Sequence, residues 1–153
     1  MKVVAVVPTC AGARRLIALA DALMTTLYPA ESNHFESAEA LAQPHVRFVG
    51  IHAGDELIAC GGVKLLQNDG RYGEIKRVFV LPEQRGKGLA RAIMAALELQ
   101  LVREGYPLAR LETGIAQPEA LGLYRALGYV ERTPFGDYRP DALSVFMEKR
   151  LEK

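Results

Sequence analysis

The sequence contains no tryptophan and carries almost no net charge. Its 19 Lys and Arg residues against 18 Asp and Glu residues leave a formal charge of +1. A general nucleic-acid-binding domain is strongly basic and an acidic disordered tail is strongly negative, so the charge balance argues against both classes. No apolar run approaches the roughly 20 residues that a membrane-spanning helix needs. We therefore expect no nucleic-acid partner and no membrane partner.

Cysteine is also scarce, with only Cys10 and Cys60 in the chain. They form no Cys-x-x-Cys pair and have no histidine cluster nearby, so we expect no metal site. Two isolated cysteines are typical of reduced, semi-buried thiols in a cytoplasmic protein. The apolar run 3–7 ends at Pro8 and is too short for the core of a secretory signal, so we expect a buried first strand there instead.

What the sequence does have is the length and the apolar content of one globular domain. Its 153 residues are 50% hydrophobic, which is enough for a core without disulfides or metals. We expect a single domain over residues 1–153.

Hydrophobic periodicity predicts the order β-α-α-β-β-β-α-β-α-β-β. The short connections at 53–55 and 67–70 carry turn residues, which indicates antiparallel pairing of the strands that they join. One β-α-β crossover adds a parallel pair. The fold class is therefore α+β, a mixed and mostly antiparallel central sheet flanked by helices. The predicted strands are residues 3–7, 45–52, 56–66, 72–80, 108–113, 129–133 and 144–151, and the predicted helices end near Tyr28, follow Ser37, span 88–104 and begin at Pro118.

The most informative segment joins the predicted strand 72–80 to the predicted helix 88–104 and reads LPEQRGKGLA at residues 81–90. Gly86 and Gly88 allow the backbone to approach a ligand, and the first N–H groups of the helix point at whatever lies there. Arg85, Lys87 and Arg91 add positive charge around the same point. This combination predicts a phosphate-binding site.

Three phosphate ligands fit such a loop to different degrees. A mononucleotide loop needs Gly-Lys-Ser/Thr, but Gly88 follows Gly86 and Lys87, so that alternative fails. A dinucleotide loop needs a third small residue where Arg91 stands, and it follows a parallel strand rather than a series of hairpins. The pyrophosphate of coenzyme A is the third alternative. A tight turn without any ligand is the structural explanation of the same glycines.

The segment RGKGLA at 85–90 resembles the acetyl-CoA signature of the GNAT superfamily of N-acetyltransferases, Arg/Gln-x-x-Gly-x-Gly/Ala. The later segment LYRALGY at 123–129 and the order of elements over nearly the whole chain are also similar to that family. The segments 28–32, 111–114 and 134–149 further resemble small bacterial GNAT proteins whose substrates are mostly unassigned.

The resemblance implies acetyl-CoA as co-substrate. It implies that the pantetheine arm lies along one strand edge and that backbone amides of the glycine loop bind the pyrophosphate. Many GNAT enzymes carry Asn before the next helix, whereas this chain carries Gln117, an amide with a longer reach. The cofactor-binding residues implied in this way are Val78, Phe79, Val80, Arg85, Gly86, Lys87, Gly88, Leu89, Ala90 and Gln117.

Two residues match catalytic positions of the family. Glu74 stands where many GNAT enzymes have a general base that acts directly or through water; the alternative is a half-exposed strand glutamate paired with Lys76. Tyr124 matches the tyrosine that serves the leaving CoA sulfur as a general acid; the alternative is a core aromatic residue. The resemblance further places His34 and Tyr138 in loops that line the acceptor groove, and Lys76 is the third candidate for contact with the acceptor substrate. His34 by itself is more typical of a surface loop residue.

We expect an acetyl-CoA-dependent N-acetyltransferase in which a small primary amine, for example an amino-acid-like one, attacks the thioester directly. Acetylation of a protein N-terminus or lysine is the alternative among enzymes, and a non-catalytic acyl-CoA-binding sensor is the alternative outside them. A homodimer is the candidate assembly.

Overall fold

The computed structural model describes residues 2–151; the ends of the predicted 1–153 domain, Met1 and residues 152–153, lie outside the described residues. The described part contains seven strands and four α-helices in the predicted order, with short 3-10 segments at Ala30–Ser32 and Pro82–Gln84. The elements are β1 (Val3–Ala5), α1 (Ala11–Leu27), α2 (Ala38–Leu41), β2 (Val46–Ala53), β3 (Glu56–Leu66), β4 (Tyr72–Val80), α3 (Leu89–Arg103), β5 (Leu108–Gly114), α4 (Pro118–Ala126), β6 (Val130–Arg132) and β7 (Ser144–Arg150).

The strands form one sheet in the order β1-β2-β3-β4-β5-β7-β6. All neighbouring pairs are antiparallel except β4 and β5, which are parallel. This arrangement confirms the predicted mixed and mostly antiparallel sheet. It also explains why the chain needs a crossover between β4 and β5, which α3 supplies.

Helices cover both faces of the sheet. Gly61 and Gly62 are neighbours on β3, so their Cα hydrogens stand where side chains of opposite faces would be. A Cβ added at Gly62 would lie 3.6 Å from Leu41 of α2, whereas one added at Gly61 would lie 2.5 Å from Ile93 of α3. The two glycines therefore mark the places where α2 and α3 pack on opposite faces of the sheet.

The helix boundaries follow the predicted capping residues. The Ser37 hydroxyl accepts a hydrogen bond from the Ala40 amide at 3.0 Å and caps α2. Pro118 is the first residue of α4, where its missing N–H costs no hydrogen bond. Gly105 follows α3 with a φ of +81°, the left-handed conformation that ends many helices.

Two predictions about burial are wrong, that of the first strand and that of the two cysteines. The first strand ends at Ala5, and it is an edge strand rather than a buried one: Val4 is 36% exposed and Val7 is 65% exposed. The reason is that β1 lies at the end of the sheet and has cross-strand side-chain neighbours on β2 alone, so its side chains are covered less than those of a central strand. Cys10 is exposed and its sulfur caps α1, whereas Cys60 is fully buried, so neither is a semi-buried thiol.

The strands β4 and β5 separate after a short contact. They pair only at Gly73 with Ala109 and at Glu74 with Arg110. Further along β4, the register with β3 shifts, and Arg77 adopts a φ of +60° in a bulge. A bulge of this kind bends the strand that carries it. We call the resulting gap, between residues 75–80 of β4 and 111–114 of β5, the fork.

Within residues 2–151, no helix combines the length and the hydropathy that crossing a bilayer would require.

Candidate active site

A cleft of about 590 Å³ opens at the fork. It runs from the N-terminus of α3, along the separated edges of β4 and β5, to the loop 33–37 that follows the first 3-10 segment. The predicted site residues that line it are His34, Lys76, Val78, Phe79, Val80, Arg85, Gly86, Gly88, Leu89, Ala90, Gln117 and Tyr124. Glu74, Lys87 and Tyr138 are not among its lining residues.

One end of the cleft is formed by the loop around Gly86 and Gly88, which we call the glycine cradle. Gly86 and Gly88 have φ values of +81° and +77°, and nothing lies within 4 Å of a Cβ added at either position. Gly88 is the N-cap of α3 and has no side chain to cap it, so the N–H groups of the first turn have no helical acceptor. These donors, together with the positive end of the helix dipole, fit a pyrophosphate.

The basic residues of the glycine loop take different positions. Arg85 lines the cleft, where its Nε donates to the Val80 carbonyl at 3.3 Å. Arg91, on the first turn of α3, also lines the cleft. The Lys87 ammonium instead donates to Gln84 Oε1 at 2.8 Å. Lys87 does not line the cleft, so its backbone amide, rather than its side chain, stays a predicted contact of the cofactor.

The middle of the cleft is the fork itself. Beyond Glu74 and Arg110 no residue pair joins β4 to β5 in the described part of the chain. Val78, Phe79 and Val80 therefore present an unpaired strand edge to the cleft. An extended chain that carries amides can hydrogen-bond to such an edge as an added strand does. The pantetheine arm has this chemistry.

Tyr124 stands on α4 at the wall of the cleft. It is 9% exposed, and its ring packs edge-to-face on Tyr129 with centroids 6.0 Å apart. Burial, with a further contribution from the nearby Glu112 carboxylate, raises the pKa of Tyr124 to about 12. The hydroxyl is therefore protonated at neutral pH and is available as a proton donor.

Tyr28 is a cleft residue to which the sequence had assigned no role. Its hydroxyl donates to Gln117 Oε1 at 3.2 Å and accepts from the Ala116 amide at 3.0 Å. A Cβ added at Gly114 would overlap the same hydroxyl, so a larger residue there would have to displace the Tyr28 ring. Tyr28 thus ties the end of α1 to the loop before α4 and orients the Gln117 amide.

Glu74 is held away from the cleft. It is only 4% exposed, so the half-exposed alternative is wrong in its burial, although the expected pairing with Lys76 is present at 3.7 Å. Its Oε2 also accepts a hydrogen bond from the Tyr138 hydroxyl at 2.5 Å. Burial, followed by the Glu74 charge, raises the pKa of Tyr138, so this hydroxyl keeps its proton.

The three residues predicted beside the acceptor form one connected cluster. The Lys76 ammonium donates to the His34 carbonyl at 3.2 Å and to the Tyr138 hydroxyl at 3.1 Å. The rings of His34 and Tyr138 pack edge-to-face with centroids 5.0 Å apart. Lys76 therefore joins β4 to the loop 33–37 and to the loop 133–143 between β6 and β7.

Glu112 on β5 is a second residue that the sequence did not single out. It lines the cleft, and its Oε2 accepts a hydrogen bond from the Ser144 hydroxyl at 2.8 Å. Burial is the largest influence on its pKa and raises it, and the nearby Glu74 charge acts in the same direction. The signal that could have pointed to it is its place in the segment 111–114, which carried part of the family resemblance without a role.

The model of the Acetyltransferase (GNAT) family matches residues 15–129, a range that includes the fork, the glycine cradle and Tyr124. The chain belongs to the GNAT family. Acetyl-CoA is the co-substrate of GNAT acetyltransferases, as the resemblance implied. The predicted GNAT membership and enzyme class are therefore confirmed.

Individual relatives support the same assignment. The IAA acetyltransferase of Azospirillum brasilense is 40% identical over 137 residues, which cover 90% of this chain and 89% of the relative. A crystal structure described as an acyl-CoA N-acyltransferase from Klebsiella pneumoniae is 36% identical with a TM-score of 0.84, covering 99% of this chain and 97% of the other. The PaiA N-acetyltransferase of Thermoplasma acidophilum, solved with coenzyme A, shares the fold at 19% identity with a TM-score of 0.73, covering 98% of this chain and 99% of the other.

Proposed function

We propose that this GNAT protein transfers the acetyl group of acetyl-CoA to the primary amine of a small molecule. The observation that carries the proposal is the size of the cleft. Its volume of about 590 Å³ has to accommodate both the end of the pantetheine arm and the acceptor. Clefts of a few hundred Å³ are typical of small-molecule sites. The contacts of Lys76 with two loops further restrict the acceptor end, where a protein substrate would need an open groove.

In the proposed reaction, different residues bind different parts of acetyl-CoA along the cleft. Backbone amides around Gly86 and Gly88 hold the pyrophosphate, and the edge of β4 at Val78–Val80 aligns the arm in the fork. Gln117, oriented by Tyr28, offers its amide NH₂ group to the arm. Fixing the thioester beside the acceptor amine in this way supplies the proximity that a two-substrate reaction needs.

Tyr124 is proposed to serve the leaving group. The lone pair of the neutral amine forms the new C–N bond, and the electron pair of the C–S bond departs with sulfur. The Tyr124 hydroxyl gives its proton to that thiolate and recovers one from the acylated nitrogen through solvent. Starting from an ammonium ion, the balance is one amide, one CoA thiol and one proton released.

Direct attack is supported by the state of the cysteine in the sheet. Cys60 is 1% exposed, and burial raises the pKa of its thiol to about 12. A thiol in this state is a poor nucleophile and a poor acetyl carrier. A covalent acetyl-enzyme on Cys60 is therefore not part of the proposed route.

The test is CoA-thiol release from acetyl-CoA with a panel of small primary amines, amino acids among them, and a matched panel of peptides with free N-termini or lysines. We expect amine-dependent release with at least one small amine and rates near background with the peptides. Faster turnover of peptides would contradict the small-molecule acceptor. Binding of acetyl-CoA without turnover of any acceptor would favour the sensor instead.

A further inference from the structure

We propose that Glu112, and not Glu74, is the carboxylate that binds the ammonium group of the acceptor and removes its proton. This inference rests on the proposed function, because it needs an amine acceptor at the Lys76 end of the cleft. It assigns a catalytic role to a side chain that lies on β5, across the fork from the strand that carries Glu74.

The pairing register of β4 and β5 places Glu112 where the two strands begin to separate. Glu74 and Arg110 are the last paired residues of β4 and β5. Two residues further on each strand stand Lys76 and Glu112, which share the sheet face of that pair because side chains alternate along a strand. Both line the cleft where its walls have just separated. An acceptor between the strands therefore meets the Glu112 carboxylate.

Glu112 and Glu74 differ in how accessible their carboxylate oxygens are to a substrate. Among the described residues, the Glu112 carboxylate accepts one side-chain hydrogen bond, from Ser144 to Oε2, and that bond leaves Oε1 for an ammonium group. Glu74 accepts from Tyr138, has the Lys76 ammonium at 3.7 Å and does not line the cleft. A substrate could reach Glu74 only by breaking contacts that hold two loops.

The surroundings of Glu112 suit a base. Burial and the Glu74 charge on β4 disfavour its ionised form, whereas Ser144 on β7, His34 in the loop 33–37 and Lys76 on β4 favour it. Tyr28 at the end of α1 and Tyr124 on α4 also lie within its electrostatic range. The balance raises the pKa of Glu112, and a carboxylate with a raised pKa is a stronger proton acceptor.

The proton step requires no partner beyond the acceptor. The Glu112 carboxylate takes one proton from the ammonium group, which leaves the lone pair on nitrogen for attack on the thioester carbonyl. No electron is transferred. The protonated carboxyl returns its proton to solvent after the amide leaves. Ser144 acts as a positioning residue, since its hydroxyl holds one carboxylate oxygen and thereby turns the other toward the cleft.

Glu74 receives a positioning role in the same scheme. Its bond with Tyr138 and its pairing with Lys76 connect β4 with the loop 133–143, and Lys76 continues the connection to His34. Loss of its charge is expected to loosen the acceptor end. The expected result is a higher KM for the amine with an unchanged acidic limb of the pH profile.

The experiment compares Glu112→Gln with Glu74→Gln, using the best amine found for the wild type. Glu131→Gln is the matched control, because the Glu131 side chain is 61% exposed and, among residues 2–151, its side chain pairs with Arg125 alone. We expect Glu112→Gln to lower kcat/KM about 100-fold or more and to remove the acidic limb of its pH profile. Glu74→Gln is expected to keep that limb, and Glu131→Gln to match the wild type.

Further measurements separate a catalytic from a structural effect. Stabilisation by acetyl-CoA should be the same in Glu112→Gln as in the wild type, which shows that the cleft is intact. Glu112→Asp, which keeps a carboxylate, should retain the acidic limb at a reduced kcat. Ser144→Ala should shift the limb without abolishing it.

The results that overturn the proposal are also distinct. Loss of the limb in Glu74→Gln with retention in Glu112→Gln returns the base to β4. A Glu112→Gln variant that fails to fold, together with a Glu112→Asp variant that lacks the limb, makes the residue structural. A wild type that acetylates no amine overturns the proposed function and this inference together.

Discussion

The Tyr138 hydroxyl donates a hydrogen bond of 2.5 Å to Oε2 of Glu74, and these two residues lie 64 positions apart in the chain. One belongs to the paired part of β4 and the other to the loop 133–143. Glu74 is 4% exposed, and Tyr138 is partly buried because its ring packs against Phe135 and Phe146. The bond therefore fastens the loop 133–143 to the sheet.

Removing this hydrogen bond should cost stability. Tyr138→Phe leaves the buried Glu74 carboxylate without its hydroxyl donor, and we expect a loss of about 1–3 kcal/mol in the free energy of unfolding, measured by urea denaturation. In the double-mutant cycle with Glu74→Gln, the two losses should add to more than the loss of the double variant. Strictly additive losses would show that the two groups do not interact in solution.

The glycine cradle should decide cofactor binding. Acetyl-CoA at about 100 times its Kd should raise the free energy of unfolding by about 2.7 kcal/mol, whereas NAD and ATP at the same concentration should not. Gly88→Ala should weaken this stabilisation, because it strains a backbone with a φ of +77° and adds a methyl group beside the amides. Thermal melts with each ligand measure both effects.

Gly70→Ala is the matched control for the cradle variant. Gly70 has a φ of +74° in the turn between β3 and β4, and nothing lies within 4 Å of an added Cβ, but it does not line the cleft. The two variants should lose similar stability without ligand, and only Gly88→Ala should lose the response to acetyl-CoA. Equal responses in both variants would place the pyrophosphate elsewhere.

Tyr124→Phe should separate binding from chemistry. The ring and its packing against Tyr129 remain, so the variant should fold and bind acetyl-CoA within a few-fold of the wild type. The loss of the proton donor should lower kcat about 10-fold or more, which corresponds to about 1.4 kcal/mol or more. Steady-state kinetics and acetyl-CoA titration measure the two quantities.

Tyr129→Phe provides the comparison for that variant. The Tyr129 hydroxyl donates to Glu98 at 2.9 Å and does not line the cleft. Its removal should lower stability and leave kcat unchanged. If Tyr124→Phe also keeps its kcat, the Tyr124 hydroxyl has no part in the reaction.

The titration of Glu112 should also make the free energy of unfolding depend on pH. The pKa of Glu112 in the folded protein is raised above its unfolded value, which means that the folded state favours the protonated carboxyl. The contribution of this carboxyl to the free energy of unfolding is fully present below the unfolded pKa of about 4.3 and is lost as pH rises through the folded pKa. The stability of Glu112→Gln minus that of the wild type should therefore grow with pH across this window. Urea unfolding at a series of pH values measures the difference, and parallel curves would contradict the raised pKa.

Local sequence signals predicted most element boundaries. Ser37 caps α2, Pro118 opens α4 and Gly105 ends α3, because each of these features depends on residues within one helical turn. The glycine cradle was predictable for the same reason, since its glycines, its strand and its helix are contiguous. The turns between β2, β3 and β4 likewise indicated hairpins without any knowledge of the rest of the fold.

The sequence by itself determined the order of elements, the mixed sheet, the glycine cradle and the GNAT resemblance. Only the tertiary structure decided the exposure of β1, the withdrawal of Glu74 from the cleft and the presence of Glu112 in it. Only the tertiary structure also joined Tyr28 to Gln117, which are 89 positions apart. The physical reason is that these features depend on sheet order, register and the separation of β4 from β5. Such long-range contacts leave no trace in the local periodicity from which helices and strands are predicted.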